Sequence, residues 1–179
     1  MAKPRSEWGD ALLVRAVNKH MSGQLFHLAD EANALSINRH GVLSKSEAKS
    51  RGVVPRLAGG NDLTRSLDRD RGLEDFVFLA FTKSVLMPKD EATTRYRRPL
   101  LLHISPEILF VPGVKVGLGR GNGAMRFDAM AAVYNMDWEI LLKPELRTSY
   151  GGPARWNNFL VYEILVPKCV PRSYIVSSE

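Results

Sequence analysis

Glu163 breaks an otherwise apolar stretch, Phe159-Leu160-Val161-Tyr162-Glu163-Ile164-Leu165-Val166, which is the strongest strand signal in the chain. Period-two alternation places it on a face with Phe159, Val161 and Leu165. A carboxylate in that company sits in a cleft or is paired, since an isolated buried charge is too costly to keep, and such a group is a candidate for function. The same pattern also fits an edge strand whose charge discourages aggregation. Just upstream, Arg147, Tyr150, Arg155 and Trp156 combine cations with flat stacking surfaces. That mixture suits a base drawn out of single-stranded nucleic acid, and a plain surface loop competes with it. His27 lies in the short apolar stretch Leu25–Leu28, where the simplest reading is a hydrogen-bonded core histidine. Arg65, Arg69 and Arg71, with Asp68 and Asp70 between them, describe a solvated charge run. The glycines at 117, 119, 121 and 123 lack the Lys-Ser/Thr ending of a phosphate loop and are not read as one.

The elements that must position these residues follow from periodicity. Trp8, Ala11, Leu12, Ala16 and Val17 recur at helical spacing and predict an amphipathic opening helix over residues 6–21. A strand at Leu25–Leu28 leads to Asp30, a helix cap, and to a helix through Ala32, Leu35 and Ile37 that stops at Gly41. Residues 44–71 form a long, partly helical, basic surface segment, a kind that often carries function. Phe76–Thr82 and Leu100–Ile104 read as core strands, with Val114–Leu118 as a third and a short helix over 125–134. A loop from 143 to 158 then leads into the strand 159–166. This mixture is α+β with a mainly antiparallel or mixed sheet.

At 179 residues the chain fits one core, and its 45% apolar and 25% charged content is that of an ordinary globular domain. No apolar run approaches the roughly 20 residues that cross a bilayer, and the first ten residues lack a signal-peptide pattern. Cys169 has no partner for a disulfide, and four histidines give a zinc site few ligands. A cytoplasmic protein without metal or membrane contact is expected. The net charge of +6 and pI near 9.6 favour a polyanion such as nucleic acid.

Four segments, taken in order, resemble the DarT family of ADP-ribosyltransferases. Leu25-Phe26-His27-Leu28-Ala29, with Asn33, Ile37, Gly41 and Leu43, is similar to its opening strand and Asn-bearing helix. Asp62–Arg69 stands where the family has an Arg-bearing segment. Asp75–Phe81 with Met87-Pro88 resembles its middle strand. Tyr162–Pro167, followed by Val170-Pro171 and Tyr174-Ile175, looks like its closing motif. Together they cover most of residues 25–176. Ala29 departs from a frequent threonine, and the middle strand lacks the usual tyrosine and proline.

The resemblance implies a single-domain ADP-ribosyltransferase fold, a split mixed sheet with flanking helices that clamps NAD⁺. Residues 1–22 would be an N-terminal helix ahead of an ADP-ribosyltransferase-like domain at 23–179. It also implies transfer of ADP-ribose to a base of single-stranded DNA, by a toxin or defence enzyme with an antitoxin protein as partner. RNA, protein or water as acceptor, and a silent nucleic-acid-binding module, are the alternatives. Glu163 and Arg65 would be catalytic. His27, Leu28, Ala29, Asn33, Arg65, Arg69 and Phe81 would hold NAD⁺, and Arg147, Tyr150, Arg155 and Trp156 the acceptor.

Overall fold

The computed structural model describes residues 5–55, 72–86, 96–119 and 126–179. Helix α1, Arg5–His20, opens the chain. Its inward stripe is Leu13 and Val17, both buried, whereas Leu12 is half exposed. Val17 is inward as the period predicts, but Leu13 takes the inward place expected of Leu12. Leu13 and Val17 join the same apolar core as the sheet, and α1 packs against Pro106–Phe110 and the later helix Ala129–Asn135.

Strand β1, Leu25–Asp30, extends two residues beyond the expected stretch. Asp30 ends it by accepting from the Ala32 backbone N–H at 2.9 Å and the Arg98 N–H at 3.3 Å. Those backbone donors, Ala32 first, hold its carboxyl below the usual carboxylate range although the residue is buried. A 3-10 turn, Glu31–Asn33, leads into α2, Ala34–His40, which stops at Gly41 as the sequence predicts. Strand β2, Val42–Leu43, follows, then α3, Lys45–Ser50, capped by the Ser44 hydroxyl on the Glu47 N–H.

The remaining strands are β3 (Phe76–Ala80), β4 (Pro99–Ile104), β5 (Lys115–Gly117), β6 (Arg126–Phe127), β7 (Glu163–Pro167), β8 (Cys169–Val170) and β9 (Ile175–Ser178). Between β6 and β7 lie α4 (Ala129–Asn135), α5 (Trp138–Leu142), a 3-10 turn (Pro144–Thr148) and α6 (Gly152–Leu160).

Two expectations are corrected here. The loop expected over 143–158 is mostly helical, and Phe159-Leu160 end α6 instead of starting a strand. Gly151 in the left-handed region and Pro153 at the helix start set up α6. Trp156, Phe159 and Leu160 then recur at helical spacing, and Phe159 turns inward into the core.

Seven strands form one sheet in the order β6-β5-β7-β3-β1-β4-β9, while β2 and β8 pair separately. Every described ladder is antiparallel. Side chains alternate across the sheet. Leu25, Val77, Leu79, Leu102, Ile104, Val116, Ile164 and Val166 face the helices and make the main core. Phe26, Phe78, Ala80, Leu101, Leu165 and Glu163 occupy the other face by register.

Candidate functional site at the sheet seam

β1 and β3 are neighbours that scarcely pair. Their ladder among the described residues is one pair, Phe26 with Ala80, whereas β1 pairs with β4 over six positions and β3 with β7 over five. The sheet is therefore split into a β6-β5-β7-β3 half and a β1-β4-β9 half. A continued ladder would set Leu28 opposite Phe78. In its place, the His27 ring Nδ1 lies 2.8 Å from the Phe78 carbonyl oxygen. A carbonyl oxygen only accepts, so Nδ1 carries the proton and donates, which leaves Nε2 as the acceptor of a neutral ring. Because the acceptor is backbone of the adjoining strand, the imidazole lies in the seam instead of standing off either face.

Burial pushes the His27 pKa down, and the bond to Phe78 opposes this only in part. Below about pH 6.5 the unfolded chain therefore takes up a proton that the folded chain refuses, and stability falls as pH drops toward the folded-state pKa. The slope from this group reaches at most about 1.4 kcal/mol per pH unit. Urea unfolding at pH 7 and pH 5.5 should show a loss for the native chain that is absent in His27→Gln. Equal losses in both would contradict the neutral assignment.

Glu163 opens β7 next to this seam. It pairs with Ala80 of β3 on one side and Gly117 of β5 on the other, and Ala80 in turn pairs with Phe26. β7 is thus an interior strand, which removes the edge-charge reading of Glu163. Of the residues expected to share its face, only Leu165 does, since Phe159 and Val161 precede the strand. Its two cross-strand neighbours are the smallest possible side chains, so the half-buried carboxylate stands over a low part of the sheet. Glu163 and Phe26 are two strand spacings apart, about 10 Å between Cα atoms, and His27 follows directly in the chain.

The other predicted cofactor residues fall in several places. Leu28 and Ala29 continue β1 along the seam, paired with Leu101 and Leu100 of β4 on their far side. Asn33 ends the 3-10 turn after β1. Phe81 is 1% exposed and packs in the core against Phe159. Arg65, Arg69 and Arg71 lie outside the described residues.

The expected acceptor residues do not act as one set. Arg155 donates from Nε and Nη2 to the Asp137 carboxylate at 2.8 and 2.7 Å and reaches Glu139 at 3.1 Å. This fork ties α6 to the start of α5 and holds the Asp137 carboxyl below its usual range, chiefly through the hydrogen bond from Arg155. Arg147 donates to the Ile140 and Leu141 carbonyls at 3.1 and 2.9 Å, closing the end of α5. Its guanidinium carbon sits 3.7 Å from the Trp156 ring centroid, and that ring stacks on Phe159 at 5.7 Å. Arg147, Arg155 and Trp156 thus all make contacts within the chain, and each stays partly exposed. Tyr150, fully exposed on the turn between the 3-10 segment and α6, is the member whose ring faces solvent.

No family model and no curated protein matches the sequence. Solved structures do resemble it. The chain is similar to Thermosipho africanus DarTG in complex with ADP-ribose, with a TM-score of 0.60 at 16% identity, covering 87% of this chain and 43% of that one. It spans less than half of that chain's length. It is also similar to Thermus sp. 2.9 DarT in complex with ADP-ribosylated ssDNA, with a TM-score of 0.60 at 16% identity, covering 86% and 78%. The same Thermus protein in complex with NAD⁺ gives a TM-score of 0.55 at 17% identity, covering 86% and 79%. The chain therefore has the α+β fold of these ADP-ribosyltransferases, with a split and mainly antiparallel sheet.

Proposed function

We propose that the chain is an NAD⁺-dependent ADP-ribosyltransferase that modifies a base of single-stranded DNA, with Glu163 as its central catalytic residue. The observation that carries this reading is the seam: a neutral histidine bridges the gap between β1 and β3, and a glutamate stands one strand away over small neighbours. Similar folds have been solved with NAD⁺, with ADP-ribose and with ADP-ribosylated ssDNA. The net charge of +6 suits a polyanionic acceptor.

In this reaction the bond from ribose C1′ to the nicotinamide nitrogen breaks, and its electron pair leaves with neutral nicotinamide. C1′ then bonds to a nitrogen of the acceptor base, whose proton passes to Glu163 and on to water. Positive charge grows on the ribose as the bond opens, so the carboxylate stabilises the transition state more than the ground state. Nε2 of His27 accepts from a ribose hydroxyl, with Leu28, Ala29 and Asn33 beside it. Arg65, with Arg69 and Arg71 as alternatives, pairs with the pyrophosphate. No group of three metal-ligating side chains occurs among the described residues, and the reaction as written uses none. No helix among them is long and apolar enough to cross a membrane. A toxin or defence role, with an antitoxin protein that removes the mark, belongs to the same reading, as does a cytoplasmic site of action.

Tyr150 is the acceptor contact this reading assigns, since a solvent-facing ring can stack on an unpaired base. Incubation with NAD⁺ and a mixed-sequence single-stranded DNA oligonucleotide should add the mass of one ADP-ribose. Tyr150→Ala should raise the KM for the oligonucleotide about tenfold and leave the KM for NAD⁺ unchanged. Nicotinamide release without a mass gain would redirect the activity to another acceptor, and absence of both would leave a binding module.

A further inference from the structure

Strand β6 brings in a cation that the sequence reading passed over. Gly117 of β5 pairs with Glu163 on one side and with Arg126 on the other. Residues directly opposite in a ladder share a face, so Arg126 and Glu163 stand on the same face, with a residue lacking a side chain between them. Their Cα atoms are two strand spacings apart, about 10 Å, and both residues are half-buried. Any larger residue at position 117 would stand between them.

We propose that Arg126 is a positioning residue for Glu163, facing it across Gly117 and keeping the carboxylate charged and aimed over the glycine. The proposal deepens the reading of Glu163 as the working carboxylate. A guanidinium suits the task because it holds its proton at every pH at which the protein is folded. A half-buried setting also screens the attraction less than open water would.

Several other charged groups among the described residues of this face are engaged elsewhere. Lys115 shares the face, but its ammonium lies 5.6 Å from the Phe76 ring centroid, beside the far end of β7. β3 contributes Phe76, Phe78 and Ala80 and no charge. On β1, the Asp30 carboxylate is tied to the backbone of Ala32 and Arg98, and His27 is bound into the seam. On β4, His103 lies beyond Phe26 with its ring between Gln24 and Glu179. Asp137, near Tyr162, is paired with Arg155. Among the described residues, Arg126 is the cation at Glu163's end of the sheet.

The test is a carboxyl-carbon NMR titration of the full chain with labelled glutamate, the Glu163 signal being assigned by its loss in Glu163→Gln. Arg126→Gln should raise the Glu163 midpoint by about one pH unit. Arg126→Lys should restore most of the native value, and Lys115→Gln should leave it unchanged. Arg126→Met, neutral and similar in length, gives the same reading if the glutamine variant does not fold. A midpoint within about 0.2 unit of native in a folded neutral variant would overturn the proposal. The titration needs no turnover, so an inactive protein would defeat the functional reading while leaving this question answerable.

Discussion

Replacing Glu163 with alanine or glutamine is expected to lower NAD⁺-dependent transfer by about a thousandfold or more while leaving the fold intact. The size follows from the charge it supplies. At about 4 Å and an effective dielectric near 20, a carboxylate and a developing cation attract by about 4 kcal/mol. Each 1.36 kcal/mol, roughly, is tenfold in rate. The fold should survive because Glu163 is the first residue of β7, half-buried, with the small residues Ala80 and Gly117 as its cross-strand neighbours. Nicotinamide release and oligonucleotide mass, measured beside a thermal melt, check both halves. Activity within tenfold of native would remove Glu163 from the chemistry.

The largest expected effect on stability is at Gly41. This residue has φ 74° and ψ −169°, a region open to almost no residue but glycine. A Cβ there would also run into the Val170 carbonyl oxygen, which is backbone and cannot swing aside. The contact matters because β2 follows the β1 half of the sheet and β8 follows the β7 half, so their pairing fastens the two sides of the seam. One further backbone bond supports the fastening, from the Ser44 N–H to the Lys168 carbonyl at 2.7 Å. Gly41→Ala should lose about 3 kcal/mol or more, a drop in Tm of roughly 6–12 °C for a chain of this size. Denaturant unfolding measures it, and a change below about 0.5 kcal/mol would show that the strap yields easily.

Local chemistry was the legible part of this sequence. Asp30 as a cap, Gly41 as a helix stop and the strands around Phe78, Leu102 and Val116 all follow from residue type and period. Where apolar residues continue across a boundary, the pattern is ambiguous: Phe159 and Leu160 read as strand because Ile164–Val166 follow them. The helix signal was present in Gly151, Pro153 and the spacing of Trp156 to Phe159 and Leu160, but it had to be weighed against a longer apolar run.

The site was only partly readable for a different reason. Glu163 and His27 announce themselves as polar residues in apolar surroundings, whereas pairing across the sheet is set by register, which no local pattern encodes. Arg126 could have been found by reading Val116-Gly117 and Arg126-Phe127 as a hairpin and extending the alternation to Glu163. Composition also does not show that Arg155 pairs with Asp137 and Glu139 or that Arg147 caps the end of α5.

The most direct test of the account is a crystal structure with carba-NAD⁺, an analogue whose nicotinamide bond does not hydrolyse. The dinucleotide should lie along the seam between β1 and β3, with His27 at a ribose hydroxyl. The carbon bearing the nicotinamide should come within about 4 Å of the Glu163 carboxylate. Binding elsewhere on the molecule, or density at the seam with that carbon turned away from Glu163, would contradict it.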